Sequence, residues 1–187
     1  REHEQERDVA KYWIRDGKIL AMFGLENQTN ADYDMPMRIF SYDGSSYKSQ
    51  LMRAAKEAQG DARYPIITLV LYFGEKHWGE QSVSLKGMFN GPDALQKYMQ
   101  NYCVYVFEIA RLSEEELKKF RSDFGFLAEF MVRKRKAEPF RITQDQEILH
   151  VDAVLKMLSV FAEDEYVEKV SKALAKRQEK GERIMGC

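Results

Sequence analysis

Cysteine is nearly absent: the chain has two among its 187 residues. Cys103 sits inside an apolar run and Cys187 is the last residue, so neither a disulfide framework nor a cysteine zinc site has the spacing it needs. Histidine is as sparse, at three residues. His77 and His150 lack a ligand partner at metal-binding spacing, which assigns them structural or surface roles. No run approaches the roughly 18 apolar residues of a membrane span, and the first residues carry no signal-peptide pattern. No membrane association is therefore expected, and cytoplasmic residence is the default. An excess of one charge is missing too. Lys and Arg number 29 against 30 Asp and Glu, a formal net charge of -1. That balance disfavours a protein that coats nucleic acid through global positive charge, so any contact with a polyanion needs a local basic surface. Internal repeats and low-complexity segments are also lacking.

What is present suits a folded α/β chain. At 44% hydrophobic and 12% aromatic residues it can bury a substantial core. Val9 to Ile14 and Lys18 to Leu25 are apolar, β-branched or aromatic runs of strand length, separated by Arg15-Asp16-Gly17. Asp-Gly between two such runs is the strongest short hairpin signal. Residues equidistant from the turn face each other, so the open ends of the hairpin bring Asp8 near Leu25 and Glu26. A strict two-residue turn opposes Asp8 to Leu25 and puts Asp8 and Glu26 on different faces, whereas a four-residue loop opposes Asp8 to Glu26 itself. Glu26 and Gln28 share a face in either case. A carboxylate on one arm and a carboxylate-x-amide on the other is a pattern from which a small α/β domain can build a divalent-cation site. The bland reading is that Asp8 marks a strand entrance and that Glu26, Asn27 and Thr29 are polar punctuation.

Further along, a helix is predicted from about Pro36 to Ala58, with Gly44 as a point of disturbance, and a strand from Ile66 to Phe73. That strand is almost continuously apolar, so both of its faces are expected to be covered. Asp93 to Gln100 reads as helix and Tyr102 to Ala110 as strand. From Ser113 onward the chain reads as helical: Ser113 to Lys136, Ile148 to Ala162, and Asp164 to about Lys180, with Pro139 in the first break. Strands thus concentrate in residues 1–112 and helices in 113–187, the division expected between an α/β core and a helical C-terminal part. Ser113 with Glu116 forms a capping-box pattern. Arg133-Lys134-Arg135-Lys136 is the densest cationic run; it closes the predicted helix at the end its dipole favours, and reads either as a solvated helix end or as a phosphate contact.

The order Asp8, hairpin, Glu26-x-Gln28, Met35-Pro36-Met37-Arg38 opening a helix, then Tyr64-Pro65-Ile66-Ile67-Thr68-Leu69-Val70-Leu71-Tyr72-Phe73-Gly74 with Trp78 following resembles the Rpn family of recombination-promoting nucleases and transposases, part of the PD-(D/E)xK nuclease superfamily. Ser122-Asp123-Phe124 and His150-Val151-Asp152 are similar to its pattern as well. The resemblance implies an α/β fold with a mixed sheet flanked by helices, a preceding helix and a further C-terminal region beyond the present sequence, and a metal-dependent DNA endonuclease linked to recombination or mobile elements. It implies Asp8, Glu26 and Gln28 as catalytic residues, with Asp8, Glu26 and the Asn27 main-chain carbonyl holding Mg²⁺ or Mn²⁺, Arg38 facing phosphate, and DNA as partner. Tyr47 and Gln50 occupy positions where related nucleases carry supporting polar groups, although each also suits an exposed helix face. Gln28 stands where the superfamily name has lysine, and an amide supplies no positive charge. The alternative class is therefore a catalytically inactive nuclease-fold module for binding or assembly. The oligomeric state, a homo-oligomer included, is open at this level.

Overall fold

The computed structural model describes residues 8–56, 63–79, 83–140, 148–161 and 168–172. They fall into two compact units, divided between Glu108 and Ile109.

The first unit is a mixed four-stranded sheet in the order β1-β2-β3-β4, with β1 Val9–Arg15, β2 Lys18–Gln28, β3 Ile66–Tyr72 and β4 Tyr105–Glu108. β1 and β2 are antiparallel; β2, β3 and β4 run parallel. Parallel neighbours need a crossover, and α1, Met35–Lys56, supplies it between β2 and β3. This helix starts where Asp34 leaves its carbonyl to accept the Met37 and Arg38 amides at 3.0 and 3.1 Å. Pro36 fits the first turn, where its missing N–H has no helical partner to lose. Met35, Ile39, Tyr42, Asp43 and Gln50 are buried, which is the spacing of one helical face. That face meets alternate residues of β3, where Ile66, Thr68, Val70 and Tyr72 are buried and the residues between them are half-buried. The core there is Met35, Ile39, Val70, Tyr72, Trp78 and Val104. Each such side chain contributes about 1.5–3 kcal/mol relative to exposure.

Several boundaries differ from the sequence expectation. β2 continues past Leu25 to Gln28, because β3 pairs with it as far as Tyr72. α1 passes through Gly44 without interruption; one glycine costs about 1 kcal/mol in a helix, less than its buried face returns. The helix at Asp93, α2, spans only Asp93–Gln96, and the strand expected over Tyr102 to Ala110 is limited to Tyr105–Glu108, followed by a 3₁₀ turn at Ile109–Arg111. Trp78 is core, its ring 5.0 Å from that of Tyr72 and edge-on. Gly74 is required beside them, since a Cβ there would overlap the Tyr72 side chain.

In the second unit, the single helix expected from Ser113 to Lys136 is two: α3, Glu114–Leu117, and α4, Asp123–Arg135. The capping box forms, with Ser113 Oγ accepting the Glu116 amide and Glu116 Oε2 accepting the Ser113 amide. The chain then leaves the helix and restarts at Ser122, which is extended. Phe120 packs against the new first turn so closely that a Cβ on Gly125 would lie 2.9 Å from Phe120 Cβ. α5 spans Val151–Phe161, and residues 168–172 are helical. The remainder of the helix expected from Asp164 to Lys180 lies outside the described residues.

Asp123 fastens α4 to the start of α5. Its oxygens accept the Leu149 and His150 amides at 2.9 and 2.7 Å, and Oδ2 lies 3.0 Å from His150 Nδ1. Burial opposes ionisation of this carboxyl, but the two backbone N–H groups and the imidazole outweigh it and hold its pKa below the ordinary aspartate value. A depressed carboxyl contributes stability that is present above its unfolded pKa and is lost as pH falls through its folded one. The loss therefore begins below about pH 4. Asp123→Ala is expected to cost about 1–2 kcal/mol at neutral pH and to flatten the acid limb, as measured by urea unfolding followed by circular dichroism across pH.

Candidate active site at the open ends of the hairpin

The turn has two residues, since Arg15 pairs with Lys18. Asp16 and Gly17 have φ of 51° and 72°, the left-handed pair of a type I′ turn. Such a turn alone would oppose Asp8 to Leu25. The ladder, however, steps from Ile14↔Ile19 to Trp13↔Ala21, leaving Leu20 as an extra residue on β2. This β-bulge shifts every later pair by one. Val9 then faces Leu25, and one step further sets Asp8 across from Glu26. The hairpin thus combines the two-residue turn with the register of the longer loop.

Asp8 Oδ2 accepts the Asn27 backbone N–H at 2.7 Å, which ties the two open ends together. Glu26 lies on the face covered by α1 and is 1% exposed. Arg38 Nη2 stands 3.7 Å from Glu26 Oε2, offsetting a charge that would be costly to bury alone. The same guanidinium reaches Asp32 Oδ2 at 2.5 Å and Tyr42 Oη at 3.4 Å. Burial acts to lower the Arg38 pKa, and the contacts with Tyr42 and Asp32 more than reverse it, so the group is held above its ordinary value. Gln28 is half-buried on the Glu26 face, and Asn27, on the other face, is exposed.

Other residues singled out in the sequence serve elsewhere. Gln50 is buried, and its amide makes two bonds with the Tyr64 backbone, Nε2 to O at 3.1 Å and N to Oε1 at 3.0 Å; Tyr47 Oη accepts the Ile66 amide at 3.1 Å. Both pin the entrance of β3. The cationic run is occupied within its own unit: Arg133 pairs with Glu114 and Glu138, Lys134 Nζ donates to the Phe161 carbonyl, Arg135 Nε to the Ala110 carbonyl, and Lys136 faces Glu114.

Sequence reasoning missed Asp32 and Asp43. Asp32 could have been found, because Asp32-x-Asp34 ahead of Met35-Pro36 is a helix-start pattern, and Asp32 Oδ1 indeed accepts the Asp34 amide at 2.9 Å. Asp43 is 1% exposed and accepts hydrogen bonds from Thr68 Oγ1, at 2.7 Å, and from the Tyr102 hydroxyl. Nothing local to Asp43 marks it.

A family profile described as "Putative transposase, YhgA-like" matches residues 14–168. The chain belongs to this family. The YhgA-like match takes in Glu26, Asn27, Gln28 and Arg38, while Asp8 lies ahead of it. Membership suggests a link to mobile elements and DNA as the partner. No curated protein and no solved structure matches the chain. Among the described residues no helix is long and apolar enough to cross a membrane.

Proposed function

We propose that this YhgA-like chain is a metal-dependent DNA endonuclease of the PD-(D/E)xK type, with its cation site at the open ends of the hairpin. What supports the reading is the bulge-corrected register: Val9 pairs with Leu25, so one step further puts Asp8, just ahead of β1, opposite Glu26 and on its face. Opposed residues have Cβ atoms about 4.5–5.5 Å apart, a span that two carboxylates can close around one ion. The donor chemistry fits Mg²⁺ or Mn²⁺, which take hard oxygen ligands: Asp8, Glu26 and the Asn27 main-chain carbonyl would hold it. When bound, the ion supplies a water of lowered pKa and stabilises charge developing on the phosphate.

The chain's own groups do the rest. Asp8 locks the hairpin ends through the Asn27 amide, and Arg38 keeps Glu26 electrostatically matched within its buried setting. Gln28 orients the attacking water through its amide. Arg38 meets phosphate only by exchanging part of its present contact with Asp32.

The direct test is nicking of supercoiled plasmid by the protein with Mg²⁺ or Mn²⁺, stopped by chelation. A clean absence of cleavage across metals and DNA forms favours the noncatalytic binding or assembly module. Within the active reading, Gln28→Ala is expected to lower turnover by about 10–100-fold, the range for a group that orients a metal-bound ligand. Gln28→Lys should retain cleavage within roughly tenfold of wild type. A collapse of Gln28→Lys below the Gln28→Ala level would show a site rebuilt around a neutral group.

A further inference from the structure

His77 and Glu108 stand apart from the carboxylate pair in sequence, but the sheet connects them to it. The ladder sets Gln28, Tyr72 and Glu108 in one row across β2, β3 and β4, on the face that also carries Glu26. This row closes the carboxyl ends of three parallel strands, the edge at which open α/β sheets hold ligands. Glu108 uses both oxygens on consecutive residues: Oε1 lies 2.6 Å from His77 Nδ1, and Oε2 accepts the Trp78 amide at 3.1 Å. Because Trp78 is itself buried against Tyr72, the segment carrying His77 is anchored at two points. The imidazole is therefore held by one nitrogen while its side chain remains 61% exposed, which leaves Nε2 to meet a ligand. His77, Trp78 and Glu108 also line a cavity of about 300 Å³.

Charge and distance decide what that ligand is. Strands lie about 4.8 Å apart, so Glu108 is on the order of 10 Å from Gln28 along the row. That is too far to share the reacting phosphodiester and suits a phosphate further along the same strand. A DNA strand lying along this edge of the sheet needs positive charge beyond Arg38, which also serves Asp32, Tyr42 and Glu26, and Gln28 supplies none. We propose that His77, as the imidazolium and oriented by Glu108, binds a backbone phosphate of DNA next to the phosphodiester engaged by Asp8 and Glu26. The inference rests on the nuclease reading of that pair.

A phosphate is bound most strongly by an imidazolium, and histidine as a residue type is the side chain that changes charge between pH 5 and 8, so the expected signature of the contact is tighter binding on acidification. Among the described residues, the other ionisable groups around His77 are Glu108 and Tyr105 of β4 and Glu75 and Lys76 of its own segment. A phosphate contact releases counterion and steepens the dependence of binding on salt.

The test is fluorescence anisotropy of the full chain with a short labelled DNA duplex, without divalent metal, at about pH 5.5 and about pH 8. Wild type is expected to bind roughly tenfold more tightly at the lower pH, with a salt slope steeper by about one. His77→Gln should lose both differences. His77→Arg, charged throughout, should bind tightly at both pH values and lose the pH dependence, which also guards against a merely misfolded glutamine variant. Wild-type pH dependence and salt slope in both variants would overturn this inference; if wild type also cleaves, the nuclease reading stands. Absence of DNA binding by all three proteins at both pH values would overturn both. Binding that depends on His77 without any cleavage would support the phosphate contact and remove the nuclease reading.

Discussion

On the proposed nuclease reading, Asp8→Ala and Glu26→Ala are each expected to lower metal-dependent DNA cleavage by at least about a hundredfold, the scale on which removing one group that stabilises developing charge acts. The two losses have different structural backgrounds. Asp8 is exposed, so its removal costs the bond to the Asn27 amide and little packing. Glu26 is buried beside Arg38, and truncating it leaves both a void and a guanidinium without that carboxylate. Glu26→Gln separates these effects, because it keeps the volume and removes the charge. It should match the alanine variant in lost cleavage while unfolding closer to wild type in urea. Cleavage that persists undiminished in the Asp8 and Glu26 variants would rule the site out.

Deleting Lys11 should abolish cleavage to the same degree, whereas deleting Leu20 should leave it within roughly tenfold of wild type, because only the first changes which face Asp8 occupies. Without Leu20 the ladder runs from Ile14↔Ile19 directly to Trp13↔Ala21, and every pair beyond is unchanged. Without Lys11 the residues before it slip by one, Asp8 comes to oppose Leu25, and its carboxylate leaves the Glu26 face. Plasmid nicking by the two deletion proteins, with circular dichroism to verify folding, distinguishes them. Equal loss in both would mean that strand continuity rather than register governs the site.

The same hairpin shows where sequence reading succeeds and where it stops. Asp16-Gly17 announces its turn because the type I′ geometry needs two left-handed residues, a local requirement. The bulge has no such local mark. Leu20 is one apolar residue among several, and its exclusion from pairing shows only in the ladder with β1. The helix from about Pro36 was legible and forms as α1, but the split between α3 and α4 was not, since it depends on Phe120 seating against Gly125. The candidate pair Asp8 and Glu26 could be named while its register stayed open between two loop lengths. Asp43 escaped altogether because its partners, Thr68 and Tyr102, lie 25 and 59 residues away.

Those separations also impose an order of assembly. The Asp8 to Asn27 bond spans 19 residues within one hairpin, a class of structure that closes in about 1–10 μs. The parallel pairing of β3 with β2, and the Asp43 to Tyr102 bond across 59 residues, must wait for slower long-range closure. During that interval the apolar stretch of β2 has one paired edge and one open edge, the condition in which strands join neighbouring chains. Asp8 and Glu26 stand at its end with charge unshielded by α1. Charged residues that flank an apolar strand are the kind that oppose such joining, and Asp8 and Glu26 hold that place at the open ends of the hairpin.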